Sequence, residues 1–480
     1  MKNKKIWIPV FATALVTVSL LLVFLNTPSD SIISPYLNEP IIPLVDENID
    51  QEFASTSIFD WTIEDSVILP DNSIISGGQV LSDRNMYVPA LKRTNLGGGA
   101  LWTTIINPVL LDGVNYDPYG TSDNTIQHII YVNPELIYVI GSMRARLYNT
   151  TDDQYPLSGF FANENVPIGD DLLVFVASFT DDFDNLKLHG FITPPGEEGS
   201  QQTIVADATL LDANTFVLTG ITNSHEGLFE SAPEKSIFDF VLSVEVNDTL
   251  AFNHLFTFDN SSYAQPNKVY SLANGDLIVS GGFEEADGDF ADIPLTQSVE
   301  SPAFVARIDG DTFNLDWVSS NLLKNTMTPA VTQFLNVLEL DNHRLVTIAN
   351  VWEANETYDK SILLTVFTSG GSIQTQKVVD LGGREVYATQ LFKATTGYWI
   401  VGAIEDGLTD NIMLVKITAS LSVDFIYEIL GTGEEVVLGD AFLQTDGTWI
   451  LPIRTYSKDQ DYGFLSSQTD TFFNVFIKLS

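Results

Sequence analysis

Cysteine is absent from all 480 residues. Its absence removes disulfides, thiolate metal sites, cysteine nucleophiles and attached c-type haem together. Bases are scarce as well: 22 lysines and arginines face 63 acids, a formal net charge of −41. Such a chain repels phosphate backbones and anionic headgroups, so nucleic acid is excluded as a partner. Histidines number five, and His128, His189, His225, His254 and His343 stand far apart with no H-E-x-x-H pair. No G-x-S-x-G elbow and no phosphate-cradling G-x-x-x-x-G-K-[ST] loop occurs. After the first 26 residues no long run shows the i, i+3, i+4, i+7 apolar spacing of a major helix.

What is present begins with "IWIPVFATALVTVSLLLVFL", Ile6 to Leu25, preceded by Lys2, Lys4 and Lys5. As a helix these uncharged residues span roughly 30 Å, the thickness of a bilayer's hydrocarbon core. The run is longer than a cleaved signal's apolar region and no A-x-A-like site follows, so an uncleaved single-pass anchor is expected. The lysines hold residues 1–5 in the cytoplasm and put the remainder outside the cell membrane. That outer part carries 63 acids against 19 bases, a net of −44. Residues 26–52, with Pro28, Pro35, Pro40 and Pro43, read as an extended stalk.

From residue 53 to 480 the pattern is all strands. The stretch "SLANGDLIVSGG" at Ser271 returns as "ILPDNSIISGG" at Ile68, "LLDANTFVLTG" at Leu210, "ELDNHRLVTIA" at Glu339, "FKATTGYWIVG" at Phe392 and "LQTDGTWILPI" at Leu443. Each is the end of one strand, a tight turn and a second strand. The second strands end at Gly77, Gly141, Gly220, Gly281, Ala349, Gly402 and Pro452, which makes seven units. Every marker is followed by a third apolar strand, such as "YVPALKR" at Tyr87 or "IMLVKIT" at Ile412. Fourth strands with an aromatic near the start follow several of these, in "ALWTTII", "LDWVSSN" and "VDFIYEI". The last unit lacks its fourth strand, and "IFDWTIE", Ile58 to Glu64, is expected to supply it and close a ring.

On these residues the chain resembles the bacterial extracellular seven-bladed β-propellers, and the absence of cysteine agrees with such an origin. The resemblance implies an all-β, monomeric disc, and no WD, kelch or quinone-binding motif series narrows it further. "TDGTW" at Thr445 resembles part of the sialidase Asp box, and Asp446-Gly447 reads as hairpin chemistry.

Loop length then separates the two faces of the disc. First-to-second and third-to-fourth turns are short, whereas second-to-third loops are long: Ser142 to Asp170, Thr222 to Ser236, Glu284 to Ser301 and Arg454 to Thr471. Long loops are where binding is usually placed. The candidate ligand-binding residues are Trp352, Tyr358, Tyr148, Tyr155, Arg144 and Arg146: rigid rings for stacking, guanidinium groups for a ligand carboxylate. Asp287, Asp289 and Asp292, beside Glu285 on a glycine-containing loop, supply hard oxygen ligands suited to Ca²⁺, although the loop departs from the EF-hand pattern. No other cofactor is indicated.

With no catalytic motif, the expectation is a non-enzymatic, membrane-anchored binding module for an extracellular protein or glycan. The alternative is an extracellular propeller hydrolase or lyase acting on glycans. Carboxylates converging with an arginine or histidine at the axial channel would favour that alternative.

Overall fold

The computed structural model describes residues 51–479 outside a set of loop stretches, the longest being 111–123, 145–153, 193–201, 294–302, 321–328 and 461–472. The expected anchor and most of the stalk lie outside the described residues. Among the described residues no helix is long and apolar enough to cross a membrane.

Six antiparallel sheets of four strands follow one another along the chain. The first comprises Trp61–Ile68, Ile74–Leu81, Tyr87–Thr94 and Ala100–Ile105. The sixth comprises Glu385–Lys393, Tyr398–Asp406, Thr409–Ile417 and Val423–Ile429. The first strands of successive sheets pack against one another, so they are innermost and the sheets radiate as in a β-propeller. Burial follows that geometry. The third strand Phe238–Val246 is buried at nearly every position, whereas its fourth-strand neighbour Leu250–Phe256 is largely exposed.

Apolar contacts between sheets form the core. Tyr138 and Val174 of the second sheet meet Phe216, Phe238 and Phe240 of the third, all buried. Each large side chain buried this way contributes about 1.5–3 kcal/mol relative to exposure.

Seven four-stranded blades were expected and six are found. The seventh repeat unit sits in a sheet of five strands. Its inner edge is split into Glu435–Val437 and Phe442–Leu443, both paired with Trp449–Thr455. The N-terminal strand does join this last sheet, but it is not the expected one. Gln51–Thr56 pairs antiparallel with Phe473–Leu479, from Gln51 opposite Leu479 to Thr56 opposite Asn474. Trp61–Ile68, which overlaps the expected closing segment, is the innermost strand of the first sheet, with Trp61 opposite Val80. The reason is periodicity. Each repeat motif begins with the end of an innermost strand, so the motif at Ile68 needs a strand before it, and closure passes to the next stretch upstream.

The long loops carry structure of their own. Pro108–Leu110, from the link after the first sheet, pairs with Gln154–Gly159, which pairs with Asn165–Pro167. A small three-stranded sheet therefore joins the two most elaborated connections.

Candidate functional site: the axial ring

Every innermost strand of the six four-stranded sheets contains a β-bulge at the same level. The register skips one residue at Glu64, Gln127, Ala206, Asn267, Leu335 and Thr389. Bulges increase local twist, which strands converging on an axis require. They also account for the recurring glycine. A Cβ on Gly220 or Gly281 would lie 2.0 Å from the carbonyl oxygen of Ile204 or Gln265, the residue just ahead of the bulged pair.

The residue after each bulge is polar: Asp65, His128, Asp207, Lys268, Asn336 and Gln390. Several of these fasten one sheet to the next. Asp65 Oδ2 accepts from Ile129 N at 2.7 Å, Asp207 Oδ2 from Val269 N at 2.9 Å, and Gln390 Oε1 from Ala441 N at 2.7 Å. Asn350 does the same between the fifth and sixth sheets, accepting from Ala388 N at 2.8 Å and donating to Ala388 O at 3.1 Å. His128 is driven down to about 4, first by burial and further by Lys268; Asp207 and a hydrogen bond with the Val205 backbone oppose the shift. It is therefore a neutral imidazole at pH 7.

The bulged residues themselves are left for the axis. Glu64 is the one charged member of the six. Water reaches its carboxyl group, yet the surrounding protein is dense enough that desolvation raises its pKa, against the opposing charge of Arg454 from the last sheet. Gln127 Oε1 and Asn336 Oδ1, in the same ring, are buried acceptors without a hydrogen-bond donor. The site therefore combines a carboxyl held toward its protonated form and a guanidinium whose charge acts on it.

The opposite, tight-turn face is occupied by structural contacts. Trp102 Nε1 donates to Asp181 O at 3.0 Å and Trp317 Nε1 to Ser369 O at 3.1 Å, each reaching the third-to-fourth turn of the next sheet. Arg93 and Arg307 stand beside them, with Arg93 Nη1 donating to the same Asp181 oxygen at 2.6 Å and Arg307 Nη1 to Ser369 O at 3.2 Å. His189 Nδ1 meets Asn247 O at 2.9 Å in the corresponding place. Two of the aromatics at the start of the fourth strands, Trp102 and Trp317, are these clamps, while Phe425 packs edge-on against Trp399.

The sequence-derived candidates are dispersed. Trp352 lies near the end of Leu345–Glu353, opposite Val331 and Lys360. Tyr155 is in the middle strand of the small sheet opposite Val166, and Arg144 ends Leu136–Arg144 opposite Leu172. Tyr148, Arg146, Tyr358 and the Asp446-Gly447 turn fall outside the described residues. Of the acidic loop, Asp287 Oδ1 accepts from Ser261 N at 2.9 Å and Asp289 Oδ2 from Asp259 N at 2.8 Å, while Asp292 is exposed. Two of the three carboxylates are thus turned onto the 259–261 backbone, and among the described residues no group of three acids or histidines is placed to hold a metal. Glu64, Arg454 and the ring escaped the sequence reading, although a signal existed: a polar residue twelve or thirteen positions before each of Gly78, Gly141, Gly220, Gly281, Ala349 and Gly402.

No protein-family model matches the chain, and no curated protein matches it. Solved structures of similar fold include the periplasmic gluconolactonase of Pseudomonas aeruginosa, at 11% identity and TM-score 0.43, covering 81% of this chain and 93% of that one. A sialidase from Streptococcus pneumoniae follows at 9% identity and TM-score 0.39, covering 89% and 70%. The α-L-arabinofuranosidase of Fusarium graminearum has 11% identity and TM-score 0.37, covering 74% and 92%. Likeness at this level speaks to fold alone. It does correct one expectation. A missing motif does not exclude catalysis, since structures of this fold include the enzymes just named, and the non-enzymatic expectation is withdrawn.

Proposed function

We propose that the chain is an extracellular propeller hydrolase or lyase acting on a glycan at the axial ring, tethered to the cell membrane by residues 6–25. The observation that carries this reading is Glu64: a water-accessible carboxyl whose pKa is raised by crowding, against the opposing charge of Arg454. A carboxyl whose pKa is raised is better suited to giving a proton to a leaving oxygen, and a guanidinium is suited to developing or resident negative charge. The five-stranded sheet is the closing unit of the ring in this reading, bringing Arg454 to Glu64. The small sheet of elaborated loops, carrying Tyr155, is the approach for the remainder of the glycan.

The test is turnover of aryl glycosides, aldonolactones and uronic-acid polysaccharides by the full chain, with Glu64→Gln alongside. Loss of a general acid lowers kcat by about 10²–10⁴-fold, with the melting temperature unchanged and the high-pH limb of the wild-type profile removed. Activity that survives Glu64→Gln undiminished would overturn the assignment. Absence of turnover combined with saturable glycan binding would return the chain to a binding role.

A further inference from the structure

The seam between the first sheet and the last differs from every other seam in the ring. The other neighbouring sheets meet through clusters of at least ten buried apolar side chains. Here the buried apolar pair is Ile74 and Ile450, with Ile68 and Phe442 partly buried beside it. Among the described residues, polar side chains line the first sheet's side of this seam. Leu91 packs into the cluster shared with the second sheet, so by strand alternation Ala90, Lys92 and Thr94 turn the other way, toward the last sheet. Register places Ser66 opposite Ser76 and Ser76 opposite Lys92, aligning three polar residues across three adjacent strands.

The hydrogen bonding of this group is one-sided. Ser66 Oγ donates to Ser76 Oγ at 2.9 Å, which leaves the Ser76 proton to be given elsewhere. Thr94 Oγ1 is buried with no partner. Lys92 is only 8% exposed, and its ammonium makes no hydrogen bond or ion pair with any described residue. Burial holds its pKa below the ordinary lysine value. Three donors thus share one face of a seam without a bonded acceptor among the described residues, in a protein where acids outnumber bases almost three to one. An unpartnered buried charge is retained at a cost unless something completes it.

We infer that this seam is a binding site for a small oxyanion, carboxylate or phosphate in type, held by Lys92 Nζ and the hydroxyls of Ser76 and Thr94. Since the site spans the joint between the first and last units of the chain, occupancy stabilises the closed ring by linkage. The inference is independent of the catalytic reading of Glu64.

The test is a thermal titration of the full chain with sodium phosphate and, separately, sodium acetate, each against sodium chloride at equal ionic strength. A saturable rise in melting temperature is expected with one of the two salts, and which one responds names the anion. Lys92→Met removes the rise and melts above wild type in chloride alone, because the uncompensated charge is gone. Thr94→Val and Ser76→Ala each raise the half-saturating concentration by about tenfold, the effect of one hydrogen bond to a charged group. These two variants carry the test should Lys92→Met fail to fold. Equal responses in wild type and every variant, or no response of wild type to either salt, would overturn the site.

Discussion

Asp65 of the first sheet accepts a hydrogen bond through Oδ2 from the backbone N–H of Ile129 in the second, at 2.7 Å. The same bond recurs two sheets on, from Val269 N to Asp207 Oδ2 at 2.9 Å. At these two joints the carboxylate just after the bulge satisfies a backbone N–H of the next innermost strand. The latch and the bulge are therefore one device. Asp207→Ala leaves the Val269 N–H buried and unpaired, and a loss of about 1–3 kcal/mol is expected. Urea denaturation monitored by tryptophan fluorescence measures it, and an unchanged midpoint would show that water replaces the carboxylate at no cost.

The clamp on the tight-turn face gives a second expectation. Trp317 Nε1 donates to Ser369 O at 3.1 Å, and Gly371 in that turn has no room for a side chain because a Cβ would lie 2.5 Å from the indole. Trp317→Phe removes the donor and part of the ring, so destabilisation of about 1–2 kcal/mol is expected. Gly371→Ala costs more, since it combines that clash with a positive φ of 79°. Melting temperatures of the two variants rank the effects, and the reverse order would contradict the clamp geometry.

His128 sets a pH dependence whose sign follows from its lowered pKa. The unfolded imidazole titrates near 6.5 and the folded one at about 4. Between these values the unfolded state binds the proton and the folded state does not, so stability falls as pH drops from 6.5 toward 4. The full effect is roughly 3 kcal/mol. Subtracting the stability profile of His128→Gln from that of wild type isolates this contribution from the carboxylates Asp71, Asp276 and Glu339, whose lowered pKa values also withdraw stability on acidification. A flat difference curve across that window would mean that the histidine is protonated in the fold.

Much of the architecture was legible because turn chemistry and period-two patterning are local. The motif ending at Gly281, the third strands and the aromatic starts of the fourth strands all fall where periodicity puts them. The axial ring was not legible for the converse reason: a bulge interrupts the alternation, and "TIEDSV" or "FLNVL" reads as an irregular strand in which Glu64 or Asn336 has no defined side. Gln51–Thr56 gives little signal as a closing strand, since four of its six residues are polar and only register with Phe473–Leu479 identifies it. Lys92 in "YVPALKR" reads as a surface lysine, because sequence alone does not say that both faces of a third strand are covered.

Glycine placement separates two kinds of position in the same fold. At Gly281 a Cβ would meet the Gln265 carbonyl at 2.0 Å, and backbone on both sides must move to admit it. At Gly370 nothing lies within 4 Å and φ is negative. Gly281→Ala is expected to cost several kcal/mol or to prevent folding, whereas Gly370→Ala gains a few tenths through the unfolded chain. Comparable melting temperatures for the two would refute the bulge account of the repeat glycine.

The last expectation concerns closure. Phe473–Leu479 is bonded on one side to Trp449–Thr455 and on the other to Gln51–Thr56, the most N-terminal strand described. A chain shortened to begin at residue 57 leaves every other sheet intact but exposes the outer edge of that strand, with six ladder positions unpaired. Exposed edges recruit other chains, so association should accompany the loss of stability. A chain shortened to begin at residue 50 keeps the pairing and should melt in one cooperative transition. Supplying a peptide of residues 50–57 to the shorter form should restore part of the lost melting temperature, because the missing strand then adds in trans as it does in cis. Identical melting and sedimentation of the two shortened chains would show that Gln51–Thr56 decorates the ring without closing it.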